Sequence, residues 1–139
     1  MSNMLEVEDL TKVFVIGKDA NLIAVNNVSF NLKHGETLGL VGESGSGKTT
    51  VGRCILRLIE PTEGRITLDG EDVTALDATS LRDLRANMQL VFQDPFGSLN
   101  PRLTVSQTVE EPLKLHGMAR AERLKRVAEM MRLVGLSEH

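Results

Sequence analysis

Tryptophan and tyrosine are absent from this chain, and its four aromatic residues, Phe14, Phe30, Phe92 and Phe96, are all phenylalanine. With so few rings and no block of lysine and arginine, there is no basic, base-stacking face, and no nucleic-acid partner is expected. Cysteine occurs once, at Cys54, so an internal disulfide is excluded, which fits a reducing compartment. Cys54 sits among apolar residues and is expected to be a small core residue. No apolar run approaches the ~20 residues that cross a bilayer. Residues 1–6 have neither the basic start nor the apolar stretch of a secretory signal. Taken alone, the chain is expected in the cytosol.

What is present begins with size and charge. The 139 residues suggest one domain, and the formal net charge is −3. A chain of this length can bury roughly two thirds of the surface it exposes when unfolded, enough for a core.

The most informative segment is Gly42-Glu43-Ser44-Gly45-Ser46-Gly47-Lys48-Thr49, a complete G-x-x-x-x-G-K-[ST] phosphate loop. Glycines are needed because backbone N–H groups must turn inward on the phosphates, through angles that a Cβ obstructs. Lys48 is expected to bring its charge to the β- and γ-phosphates, and the Thr49 hydroxyl to hold Mg²⁺. The flanks agree with this. Thr37-Leu38-Gly39-Leu40-Val41 reads as a short buried parallel strand. From Thr49 to Glu60, apolar residues at Val51, Ile55, Leu58 and Ile59 follow a helical spacing that Pro61 stops. The positive end of that helix would face the phosphates.

Elsewhere the chain alternates. Leu5 to Phe14 reads as an edge-type antiparallel strand interrupted at Asp9-Leu10. A polar loop, Lys18 to Asn21, leads to a second alternating run, Ala24 to Leu32. Lys33-His34-Gly35-Glu36 is a turn. After the Pro61–Gly64 loop, Arg65 to Leu68 alternates into Asp69-Gly70, a two-residue hairpin signal. Ser80 to Asn87 is a short helix capped by Ser80 or Thr79. Met88 to Phe92 is a second apolar strand. Thr104 and Gln107 form a capping-box pattern, and Pro112 should kink or restart the helix that follows. Ala119 to Val134 carries an apolar stripe of Leu124, Val127, Ala128, Met131 and Val134. Met130 and Met131 are expected to fill the core. Glu122 and Arg126 stand in the favourable i, i+4 order, and Gly135 is a natural stop. Arg120, Arg123, Lys125 and Arg126 read as a solvated face diluted by Glu122 and Glu129. His34, His116 and His139 have no visible partner.

Three segments carry a resemblance. The first runs from Val25-Asn26-Asn27-Val28-Ser29-Phe30 through Gly35-Glu36 into the phosphate loop. The second is Glu60-Pro61-Thr62-Glu63-Gly64, followed by a strand and Asp69-Gly70. The third is Val91-Phe92-Gln93-Asp94-Pro95-Phe96-Gly97-Ser98-Leu99-Asn100-Pro101-Arg102. Over essentially its whole length the chain resembles the N-terminal part of an ABC transporter ATP-binding subunit of the oligopeptide/dipeptide (peptide/nickel) importer group.

The resemblance implies an α/β fold of the P-loop NTPase class, as an incomplete ABC-type nucleotide-binding domain. It would comprise an antiparallel β subdomain and the start of a helical subdomain. Residues 1–102 would be the ATP-binding core and residues 103–139 a partial helical subdomain. Phe14 would stack on adenine, and stacking on a base is worth about 1–3 kcal/mol in other systems. Gly42, Glu43, Ser44, Gly45, Ser46, Gly47, Lys48 and Thr49 would cradle the phosphates, with Thr50 at the α-phosphate. Gln93 would reach Mg²⁺ and the attacking water, making Lys48 and Gln93 the catalytic pair here. Asp94 to Arg102 would face the transmembrane partner. The implied cofactors are ATP and Mg²⁺. The implied partners are transmembrane permease subunits, a second ATP-binding subunit (identical or homologous) and, indirectly, a solute-binding protein. The implied location is peripheral, at the cytoplasmic face of the inner (plasma) membrane, where ATP hydrolysis would drive peptide transport.

The departures matter as much. The family's Leu-Ser-Gly-Gly-Gln segment, its Walker B strand ending in Asp-Glu and its switch histidine are absent. The nearest Walker-B-like string, Ile66 to Asp69, runs into a turn. The carboxylate that would orient water, and the element that closes over the γ-phosphate, are therefore missing. These 139 residues are expected to bind Mg-nucleotide and not to turn it over, and the stripe at Ala119–Val134 to lack its cover. Two other readings stand beside the transport motor. One is a truncated, non-hydrolysing nucleotide-binding or docking module. The other is a small kinase or GTPase, suggested by D-x-x-G at Asp94–Gly97 but without an N-K-x-D motif.

Overall fold

The computed structural model describes residues 3–18 and 20–136, with backbone alone at Pro95 and Phe96. Asp19 of the expected polar loop and the terminal His139 lie outside the described residues. The chain divides into two compact units, Met1–Gln89 and Leu90–His139, which are taken in turn.

In the first unit, two 13-residue strands, β1 (Asn3–Val15) and β2 (Asn21–Lys33), pair antiparallel, with Phe14 opposite Leu22 and Lys12 opposite Val25. On its other edge β1 pairs antiparallel with β3 (Glu63–Leu68), and β3 pairs with the two-residue β4 (Glu71–Asp72). The order β2-β1-β3-β4 makes β1 an inner strand, not the edge strand its broken alternation suggests. That break is a bulge. Asp9 takes a left-handed φ of 50°, stabilised where its backbone N–H donates to Ser29 Oγ (2.8 Å) and the Ser29 hydroxyl donates to Asp9 Oδ1. Opposite the bulge stands Gly64 at φ 97°, where a Cβ would lie 2.6 Å from both the Glu8 and Asp9 carbonyl oxygens. Only glycine fits there.

The β3–β4 connection is the expected two-residue turn. Asp69 and Gly70 take φ of 48° and 84°, the double left-handed geometry that matches strand twist. The expected turn at Lys33–Glu36 also forms, with the Glu36 N–H donating to Lys33 O (3.1 Å). His34 gains a partner that the sequence does not announce: its Nε2 lies 2.9 Å from Asp69 Oδ1, on the surface.

Helix α1 (Lys48–Ile55) and helix α2 (Ala78–Leu84) cover the sheet. Leu5, Val7, Leu10, Val25 and Ile66 of the sheet, Val51 and Cys54 of α1, Val73, and Leu81 of α2 make one buried cluster. Cys54 is fully buried, as expected, and burial pushes its thiol pKa up while the Lys12 charge pulls it partly back. The α2 cap is Asp77, not Ser80 or Thr79: its Oδ1 accepts from the Ser80 N–H (2.8 Å). A carboxylate serves better at this position because it also meets the positive end of the helix. The 3₁₀ turn Arg85–Asn87 follows.

Helix α1 ends sooner than its apolar spacing suggests. Arg57 takes φ 47°, its N–H donates to Cys54 O (2.9 Å), and the Leu58 N–H donates to Arg53 O (2.9 Å). This is a Schellman ending with arginine where glycine is usual. The strain is offset by the Arg57 side chain, which donates to Val73 O (2.9 Å) and Leu76 O (2.7 Å) and pairs with Glu60 (3.0 Å).

Two expected strands do not form. Thr37–Val41 has no strand pairing, and Leu38, Leu40 and Val41 are 49%, 46% and 94% exposed. Met88–Phe92 is likewise irregular, with Val91 and Phe92 exposed. Both are apolar runs of the kind found in parallel sheets. Such strands need neighbours delivered by long crossovers and cover on both faces. Among the described residues all strand pairs are antiparallel.

The second unit holds α3 (Pro95–Ser98), α4 (Val105–Leu115) and α5 (Arg120–Leu133). Helix α4 opens with the expected capping box: Gln107 N–H donates to Thr104 Oγ1 (3.2 Å), and the Thr104 N–H donates to Gln107 Oε1 (2.9 Å). It runs through Pro112 as one element. Helix α5 ends in a Schellman motif at Gly135 (φ 74°). Of its apolar stripe only Val127 is buried, while Leu124 and Val134 are exposed. Arg126 pairs with Glu129 (2.8 Å), not Glu122. Arg123 leaves the expected solvated face, donating to Glu110 on α4 (2.7 Å) and to Met118 O (2.9 Å). Among the described residues no helix is long and apolar enough to cross a membrane.

Candidate functional site

The phosphate loop sits between the exposed run Thr37–Val41 and the N-terminus of α1, and its shape follows from two glycines. Gly45 and Gly47 take φ of 84° and 92°. A Cβ on Gly47 would lie 2.1 Å from the Ala24 carbonyl oxygen, so the loop can back onto β2 only through glycine. Gly47 is also the N-cap of α1, without a side-chain cap. The first N–H groups of an α-helix have no intrahelical partner. Here they open on the loop, as the binding of an anion requires.

Lys48 is the first helical residue and folds back over the loop. Its Nζ donates to Gly42 O (2.7 Å), Glu43 O (2.5 Å) and Ser46 Oγ (3.2 Å). The ammonium is therefore held at the mouth of the loop, with the Ser46 N–H to Glu43 O turn (3.2 Å) beneath it. Thr49 is exposed and Thr50 half-buried, both in the first turn of α1. A cavity of about 390 Å³ adjoins, lined by Ala24, Val25, Val41, Gly42, Ser46 and Lys48 among others. A larger cleft of about 740 Å³ opens over the β1 bulge. Its lining includes Glu8, Asp9 and Glu63, the wrong charge for a phosphate.

The glycine cradle that a Cβ would fill, the orphan helix N–H groups and the Lys48 ammonium, held by neutral acceptors alone, suit a polyphosphate. A hydroxyl at Thr49 suits a hard cation held jointly with that phosphate. Phe14 lies half-buried near the end of β1, on the strand that pairs with the one Gly47 touches. Gln93 lies exposed in the second unit, at a bend before α3. The loop residues Gly42 to Thr50 are thus one contiguous site, while Gln93 belongs to the other unit. Two contributors carry no motif signal. Ala24 acts through its backbone carbonyl, and Lys12 places its Nζ 5.0 Å from the centre of the Phe14 ring.

The geometry agrees with comparisons to known proteins. The family model described as ABC transporter matches residues 25–139. A putative peptide import ATP-binding protein of Brucella ovis is 48% identical over 134 residues, which is 96% of this chain and 42% of that protein. An oligopeptide transport ATP-binding protein of Bacillus subtilis is 48% identical over 96% of this chain and 43% of its own. Among solved structures, a dimeric ATP-binding cassette in a post-hydrolysis state, bound to ADP and Pi, superposes with a TM-score of 0.79 at 33% identity, covering 97% of this chain and 59% of that one. The chain therefore spans less than half the length of these curated relatives. Their shared fold is the ABC nucleotide-binding domain, of which these residues form the antiparallel sheet, the phosphate loop and the first helices. The chain belongs to the ABC transporter family.

Proposed function

We propose that this chain is the nucleotide-binding part of an ATP-binding subunit that powers the import of peptides or similar small solutes. The observation that carries the reading is the phosphate loop itself: a glycine cradle at a helix N-terminus with Lys48 held across it. The peptide-import names of relatives 48% identical supply the solute class.

In this reading Gly42 to Gly47 wrap the β- and γ-phosphates of ATP with their N–H groups, and Thr50 contacts the α-phosphate. Lys48 exchanges its carbonyl acceptors for phosphate oxygens, which are charged and bind an ammonium more strongly. Thr49 offers its hydroxyl to Mg²⁺, which when bound would neutralise phosphate charge. Phe14 stacks on the adenine. Gln93 orients water and metal. Residues 1–102 act as the ATP-binding core and 103–139 as part of a helical subdomain. The segment Asp94–Arg102 faces permease subunits at the cytoplasmic side of the membrane. A second ATP-binding subunit closes over the nucleotide, and a solute-binding protein delivers the cargo.

Alone, the 139 residues hold nucleotide without hydrolysing it. The exposed runs at Thr37–Val41 and Met88–Phe92 favour this narrower reading, because they pair with no strand among the described residues. The test is calorimetric titration of the 139-residue chain with Mg-ATP, alongside phosphate release. Binding that Lys48→Ala removes, with no phosphate release, is expected. Binding indifferent to Lys48→Ala overturns the site, and phosphate release abolished by Lys48→Ala overturns the non-hydrolysing reading.

A further inference from the structure

Lys12 is a cation near the site that the phosphate-loop motif does not include. It stands two residues before Phe14 on β1, so both side chains leave the same face of the strand. Its Nζ lies 5.0 Å from the Phe14 ring centroid, inside the ~6 Å range of a cation–π contact. Both residues are half-buried. Among the described residues the Lys12 ammonium forms no ion pair and no hydrogen bond, so the ring is its main partner.

The placement ties this pair to the nucleotide. Lys12 stands opposite Val25 on β2, and Gly47 of the phosphate loop backs onto the Ala24 carbonyl and the Val25 side chain. Lys12 is thus one strand removed from the start of α1. Its charge is felt on that helix, where it opposes the effect of burial on the Cys54 thiol.

We propose that Lys12 is a positioning residue for the nucleotide base: its ammonium caps one face of the Phe14 ring and leaves the other face as the stacking platform. This rests on the reading of Phe14 as the base contact. A half-buried ring near a strand end can turn about its χ angles, and each orientation lost on stacking weakens binding. A cation on one face holds the ring in place before the base arrives. It also draws π-electron density toward itself, which makes the opposite face a better partner for an electron-rich purine. The action goes through Phe14 and not through the phosphates.

The test uses the 139-residue chain and two probes, Mg-ATP and inorganic tripolyphosphate, which shares the phosphates and lacks the base. Lys12→Met keeps the apolar stem and removes the charge, and Lys12→Gln serves if the methionine variant fails to fold. The expected result is Mg-ATP binding weakened about three- to fivefold, the size of an exposed cation–π contact. Tripolyphosphate affinity should stay within error, and Lys12→Arg should restore Mg-ATP affinity. In a Phe14→Ala background the Lys12 change should have no further effect. An equal loss for both probes would make Lys12 a phosphate-attracting charge and overturn the proposal. So would an additive loss in the Phe14→Ala background. Phe14→Ala that leaves Mg-ATP affinity unchanged overturns the stacking reading itself. Phe14→Ala that weakens it while Lys12→Met does not overturns the positioning role alone.

Discussion

Strand β1 and the run Thr37–Val41 are both rich in apolar residues, and they meet opposite fates. In β1, Leu5, Val7 and Leu10 are 8%, 2% and 0% exposed, with β2 on one edge and β3 on the other. In the other run Val41 is 94% exposed and pairs with nothing in a sheet. Hydrophobicity alone does not separate them. The difference is the distance to a partner. β2 follows β1 after a short loop and returns antiparallel, so the hairpin supplies its own neighbour at little loop-closure cost. A parallel strand receives its neighbours only across a crossover. The comparison teaches that the antiparallel part of this fold is locally self-sufficient, while the parallel part depends on distant segments.

The largest expected effect tests that contrast directly. Leu10→Ala removes a fully buried side chain from the cluster and should cost about 2–5 kcal/mol in urea unfolding. Val41→Ala in the same chain should change stability by less than about 0.5 kcal/mol. Comparable losses would show that Val41 is packed in solution and dissolve the contrast.

Next comes the seam between the two regions. Gly47 is where the loop that follows the exposed run touches β2. Gly47→Ala places a Cβ 2.1 Å from the Ala24 carbonyl at a left-handed φ. It should cost about 1–3 kcal/mol and abolish Mg-ATP binding. Retention of both would mean that the loop is not anchored to the sheet.

The smallest effect sharpens the far edge of the sheet. The Asp72 carboxyl of β4 is held below its ordinary range, first by the Thr74 hydroxyl; burial is the next largest effect and opposes it, while the Thr74 N–H, Arg65 and the Ala75 N–H add to the lowering. A depressed pKa means that the folded state favours the carboxylate. Its stabilisation is present above the ordinary carboxylate value and is lost as pH falls through the folded value. Thermal melts below pH ~4 should therefore show wild type and Asp72→Asn converging on acidification. A gap that widens in acid would reverse the sign.

Much of the site was legible because its rules are short-range. The phosphate loop, the Asp69-Gly70 turn, the Thr104–Gln107 box and the Gly135 stop each depend on residues within a few positions, and each forms. Where the reading failed, a competing local cap or a longer-range interaction decided. The α2 cap went to Asp77 because a carboxylate outcompetes a hydroxyl there. Arg123 joined Glu110 across thirteen residues instead of staying in water. Arg57 could adopt a left-handed backbone only because Val73 and Leu76 present carbonyls to its side chain.

The sequence by itself determined that this chain builds a glycine loop at a helix N-terminus with Lys48 across it, and that it belongs with ABC transporter proteins, because a backbone nest needs glycine and lysine at set spacings wherever it occurs. Tertiary structure alone decided which apolar runs became strands, that β1 lies inside its sheet, and that Lys12 sits over Phe14. Those outcomes depend on which segments reach one another, and burial is a property of that meeting, not of any one segment.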